Sequence, residues 1–196
     1  MLKATQRNIK LVALPEELVT RLSEAAKRHK VSLSDYSAMA LEQAARVEEI
    51  GASLEHAVDV YELYEIQKDS GAVQIPCANL DALVGDVYRR EKDEMLELWR
   101  EAGQWYGDYL NTRLGDRAMG ILQKNLKTSW NLDEVEIFEE VMKVIVKFVS
   151  FTMSVELTDL LVRYITGVMD SFGYEMAEDS HARGLVTLTF TPIRGV

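Results

Sequence analysis

Residues Ile9 to Val47 constrain this chain more than any other stretch: IKLVALPEELVTRLSEAAKRHKVSLSDYSAMALEQAARV. An alternating run, Ile9 to Leu14, leads into Pro15, and two short amphipathic helices follow, joined by a turn at His29–Ser32. A strand that short has no stability alone, and each helix offers one narrow apolar face. Such a unit buries itself only against something else, most simply a second copy of itself.

The local signals agree with that reading. Pro15 suits the first turn of a helix, where its missing N–H has no partner to lose. Glu16 and Glu17 follow at the end that favours negative charge, and Lys27, Arg28 and His29 close the other end. Leu18, Leu22, Ala25 and Ala26 recur on one helical face. Ser32 is placed to cap the second helix with Asp35 three residues on, and Tyr36, Ala40, Ala44 and Val47 continue its stripe. Gly51 ends it.

Strand, LPEEL, helix, VSLS and second helix, nearly without gaps, resemble the ribbon-helix-helix family of Arc, MetJ and CopG-type repressors over about the first quarter of the chain. The resemblance implies a homodimer whose paired strands enter the major groove of double-stranded DNA. In the family register Ile9, Leu11 and Ala13 face DNA while Lys10, Val12 and Leu14 face the core. Lys3, Arg7 and Lys10 would meet the backbone, and the helix start at Ser32, Leu33 and Ser34 would hold a phosphate. The family usually carries polar side chains on the DNA face, whereas Ile9, Leu11 and Ala13 can touch thymine methyls and little else. A protein-interaction module that has lost sequence readout is therefore the alternative. A one-residue slip would turn Asn8, Lys10 and Val12 outward instead. Lys30 stands where the family often has Gly, and Ser37 where it usually has a branched aliphatic.

A chain of 196 residues with 47% hydrophobic content can build one large or two small domains. With no charged-then-apolar leader and no apolar run near the ~20 residues of a membrane span, a soluble cytoplasmic protein is expected, with no membrane partner. Cys77 is the single cysteine, so no internal disulfide and no cysteine-based metal site arise; His29, His56 and His181 show no ligand spacing. The net charge of −10 hides an asymmetry: residues 1–46 carry +3 and the remainder −13. The basic end fits a modest phosphate footprint, and the acidic remainder would repel DNA.

Beyond Gly51, Leu54, Val58, Tyr61 and Tyr64 mark a connector helix, and AVQIPCA (72–78) reads as extended because Pro76 biases Ile75 away from helix. Asn79 is placed to cap a long helical region from Leu80 toward Leu114. Gly103 and Gly107, with Trp99, Trp105, Tyr106 and Tyr109, mark a start or bend of a second helix there; the aromatics read as core, with a ligand pocket as the alternative. A short helix covers Arg117 to Leu126.

From Trp130 the period becomes two. NLDEVEIFEE and MKVIVKFVSF predict a hairpin turning near Glu139–Glu140. Ser154 caps a helix striped with Leu157, Leu160, Leu161, Tyr164, Ile165, Val168 and Phe172, ended by Gly173. A second hairpin turns around His181–Gly184, with Val186, Leu188 and Phe190 on one face.

The expected architecture is α+β: an N-terminal ribbon-helix-helix unit (1–50), a helical connector (51–126) and a C-terminal β-β-α-β-β antiparallel sheet domain (127–196). No phosphate loop, nucleophile elbow, zinc-protease or EF-hand pattern is present. Dense carboxylates at Glu134, Glu136, Glu139 and Glu140 read as an exposed strand and turn. Neither an enzyme nor a bound cofactor or metal is expected. The chain reads as a homodimeric DNA-binding regulator, a repressor, whose C-terminal domain takes a small ligand or protein partner.

Overall fold

The structure, a computed structural model, describes residues 11–130 and 132–193. It divides into two compact units, Met1–Asp59 and Val60–Val196.

In the first unit α1 (Glu16–His29) and α2 (Leu33–Glu49) form a helical pair, and α3 (Leu54–Asp69) begins. Helix α1 ends as its charges predict, with Lys27, Arg28 and His29 in the last turn. Lys30 then adopts the left-handed conformation (φ 57°, ψ 37°), with its N–H on the carbonyls of Ala26 and Lys27. The Val31 N–H also returns to Ala26, so two carbonyls of the last turn, those of Ala26 and Lys27, are satisfied. Ser32 caps α2: its hydroxyl accepts from the Asp35 N–H at 3.1 Å and donates to the Asp35 carboxylate at 2.7 Å. The His29 and Tyr36 rings stack across the turn, 5.4 Å apart. Burial is thin. Ala26 is the buried residue of α1, and α2 has none.

The expected ribbon-helix-helix architecture is corrected here. Residues 11–15 carry no strand, and Leu11 is 99% exposed. The described chain is helical from Glu16 through Thr128 apart from turns and the 70–76 segment, and its strands all lie in the C-terminal sheet. The physical reason is pairing: a strand of half a dozen residues leaves its N–H and C=O groups unmatched unless another strand lies beside it. Ile9 and Lys10, the start of that run, lie outside the described residues.

In the second unit the rest of α3 joins α4 (Cys77–Arg90), α5 (Lys92–Leu114), a 3-10 turn at Gly115–Arg117 and α6 (Ala118–Thr128). Strands β1 (Glu134–Glu140) and β2 (Lys143–Val149), helix α7 (Val155–Ser171), and strands β3 (Tyr174–Ala182) and β4 (Leu185–Pro192) complete it. The four strands form one antiparallel sheet in the order β1-β2-β4-β3. Its inner face is built from rows such as Val135–Phe148–Val186 and Ile137–Val146–Leu188, which enter one core with Leu157, Leu161, Ile165 and Met169 of α7. Helix α7 is buried almost all round, as its density of apolar residues requires.

Several local readings are adjusted. Pro76, not Asn79, occupies the N-cap position of α4, and its carbonyl takes the N–H groups of Asn79 and Leu80. The break in the long helical region falls at Glu91, between α4 and α5. Helix α5 then runs unbroken through Gly103 and Gly107. Those glycines serve packing: a Cβ on Gly103 would overlap the Tyr164 carbonyl oxygen, one on Gly107 would lie 2.8 Å from Val168 O, and one on Gly167 would overlap the Arg100 carbonyl. Backbone meets backbone where α5 crosses α7, which only glycine permits. Arg100 Nη2 fixes the register with an ion pair of 2.8 Å to Asp170. The first hairpin turns at Val141–Met142 rather than Glu139–Glu140. Ser154 caps α7 through the Leu157 N–H, and Gly173 (φ 84°) follows its end.

Candidate functional site

The expected DNA-contacting residues divide by location. Lys3, Arg7, Ile9 and Lys10 lie outside the described residues. Leu11 and Ala13 are exposed and in no regular element, and Ser32, Leu33 and Ser34 sit exposed at the start of α2. The Ser32 hydroxyl is already engaged by Asp35, whose carboxylate stands at the helix end where an anion would approach. A phosphate there would meet that negative charge.

A broad concave feature lies in the second unit. A cleft of about 710 Å³ opens between the end of α3, segment 70–76, α5, α6 and α7. Trp105 and Tyr106 of α5, Trp130 after α6 and Tyr164 of α7 supply its aromatic walls. The Tyr106 and Tyr164 rings lie 6.0 Å apart, and Trp130 lies 5.7 Å from Tyr164. Ile75, Pro76 and Leu80 close the other side, and among the described residues no charged side chain lines the cleft. In a chain with 28% charged residues, a volume in the small-molecule range with neutral described walls makes this cleft the candidate site.

Its polar groups come from four helices. Asn125, buried in α6, donates from Nδ2 to Tyr106 Oη at 2.5 Å. Burial pushes the Tyr106 phenol above its ordinary value, and the Asn125 hydrogen bond opposes that in part. Burial likewise drives the Tyr164 phenol well above the usual range, so both stay protonated at neutral pH. The Tyr164 hydroxyl has no hydrogen-bond partner among the described residues. Gln67 of α3 donates to Ser129 at the rim.

A second polar cluster ties β3 to the helices. Asp159 of α7 accepts from Tyr88 of α4, from Lys92 Nζ at 3.0 Å, and faces His181 Nε2 at 3.1 Å. His181 Nδ1 lies 2.5 Å from Asp179. Burial alone would raise the Asp159 carboxyl, but the bonds from Tyr88, Lys92 and His181 leave it lowered. Burial would lower the His181 imidazole, yet its two carboxylate partners leave it raised. Tyr88, Lys92 and His181 each have a carboxylate partner, so the cluster reads as a structural clamp; no group of His, Cys, Asp and Glu among the described residues is arranged to hold a metal ion. A shallower groove of about 390 Å³ runs beside it over the sheet, lined by strand residues such as Glu136, Lys147 and Thr187.

The aromatic run of α5 contained half of the cleft's signal: Trp105 and Tyr106 line it, whereas Trp99 and Tyr109 do not. Asn125, Gln67, Trp130 and Tyr164 carried no signal in sequence, because residues 67–164 meet there only through the packing of four helices.

No family model and no curated protein matches the chain. Among solved structures it is similar to a chain described under "Probing the function of heme distortion in the H-NOX family", with 16% identity over 72% of this chain and 90% of that one and a TM-score of 0.39. A likeness of that size carries no argument about function. No described helix is long and apolar enough to cross a membrane.

Proposed function

We propose that this chain is a ligand-responsive regulator. Its acidic C-terminal unit binds a small molecule in the neutral cleft, and its N-terminal helical pair, together with the basic residues that precede it in sequence, joins a second copy and carries the response to DNA. The observation behind the sensor half is the cleft of about 710 Å³, aromatic and free of charged walls. Support for the assembly half comes from the first unit, whose helices leave Leu18, Met39, Leu41 and Ile50 exposed; a soluble chain rarely leaves so much apolar surface without a partner. The charge of residues 1–46, +3 against −13 for the rest, supports DNA rather than an acidic partner.

The test is fluorescence-anisotropy binding to pooled genomic fragments across a salt series, repeated with compounds that raise the melting temperature in a metabolite panel. Enrichment of related sites, steep weakening with salt and a shift on adding the compound are the expected results. Sequence-blind binding that vanishes by physiological salt would remove DNA from the reading.

A second reading is a protein-interaction adaptor, favoured by the exposed apolar side chains of α1 and α2. It predicts that Leu41→Lys abolishes association with a different protein while leaving the fold intact, whereas the first reading predicts that the variant loses its second copy and binds DNA more weakly.

A further inference from the structure

We infer that the cleft selects an uncharged, planar aromatic molecule carrying both a hydrogen-bond donor and an acceptor, such as a neutral aromatic amide or heterocycle. This rests on the reading that the cleft binds a small molecule, and it adds the chemical class.

Charge is excluded first. An ion entering a cleft with no charged wall surrenders hydration with no counter-charge to replace it, a penalty that keeps charged groups out of such surroundings. Shape comes next: the rings of Tyr106 and Tyr164, both in the lining, are inclined by only 28° to each other. Walls of flat rings gain most from a flat guest that offers faces and edges to them.

The polar requirement follows from unspent hydrogen-bonding capacity. Asn125 and Tyr106 bond to each other through one pair of atoms. Whichever way the amide is turned, the pair keeps one free donor and one free acceptor: the Tyr106 O–H with the amide oxygen, or the amide NH₂ with the phenol oxygen. Tyr164 adds a hydroxyl with no partner. The Asn125 amide atom that does not meet Tyr106 and the Tyr164 hydroxyl have no partner, and no sealed side-chain polar atom among the described residues lacks one, so these two groups reach the surface at residues that line the cleft. A molecule lacking matching groups would leave them dry and unpaired, which costs more than a made bond returns.

Three compounds of one shape separate the classes: 2-naphthamide, 2-naphthoate and 2-naphthylmethylammonium, each titrated calorimetrically into the full chain. The expected result is that naphthamide binds at least tenfold more tightly than either ion. Tyr164→Phe, which keeps the ring, should weaken naphthamide about fivefold with an unchanged melting curve. Trp105→Ala, at a half-exposed wall position, should weaken all binding to the site. Equal or tighter binding of either ion, or an unchanged affinity in Tyr164→Phe, overturns the proposed class while leaving the cleft as a ligand site. Failure of all three to bind also overturns it, and the metabolite panel then decides separately whether the cleft binds anything.

Discussion

The Cα of Gly103 in α5 rests against the backbone carbonyl of Tyr164 in α7, with no room for a single carbon between them. Gly103→Ala must therefore push the helices apart or distort one, at a cost of about 3 kcal/mol, the upper range for overpacking a well-filled interior. Gly85 and Gly120 are helical too, but a Cβ there meets nothing within 4 Å. Alanine at either should stabilise by about 0.5–1 kcal/mol through chain entropy. Urea unfolding of the three variants checks the contrast, and a harmless Gly103→Ala would refute the packing argument.

The clamp at His181 predicts a pH dependence. Its folded-state pKa is raised above the ordinary 6.5, so its contribution to stability is complete below that pH and is lost as pH rises through the folded value. Asp159 is lowered from 3.8, so its contribution is present above 3.8 and disappears as pH falls through the lowered value. Melting temperature measured from pH 5 to 9 should fall on the alkaline side, and His181→Ala should flatten that slope while costing about 1 kcal/mol at pH 6. A slope unaltered by the substitution would count against the clamp.

Lys30 holds a left-handed backbone (φ 57°) with a side chain that gains nothing from it. Lys30→Gly should stabilise the helical pair by about 1 kcal/mol, visible as reduced amide exchange at the end of α1.

Ser154 caps α7 and also donates to Asp81 of α4 at 2.5 Å. Ser154→Ala should cost about 2 kcal/mol by losing both, whereas Ser32→Ala on the exposed α2 should cost about half as much. Comparable losses from the two would mean that the link to α4 contributes nothing.

The parts of the fold that were readable were those with local physical causes. Ser32, Ser154 and Gly173 mark ends because capping is settled by neighbouring backbone groups. Val186, Leu188 and Phe190 alternate because one sheet face is covered and the other is wet. The strand from Ile9 was overread because alternation reports a willingness to pair, and pairing needs a neighbour that the sequence does not display. Gly103 and Gly107 were misread as a helix boundary, since a glycine that lets backbones touch looks the same in sequence as one that bends them. The site was half visible, as aromatics on α5. Its other wall, Asn125, Trp130 and Tyr164, depends on long-range packing that no spacing records.

Backbone contact between α5 and α7 leaves those helices no slack: side chains can change rotamer, but touching backbones cannot slide without breaking the contact. Trp105, Tyr106 and Tyr164 therefore project from fixed backbone positions, whereas across the cleft the chain from Ala72 to Pro76 lies in no regular element. On the proposed reading, substitutions in that short segment alter what the cleft accepts while the glycines of the helix crossing stay as they are.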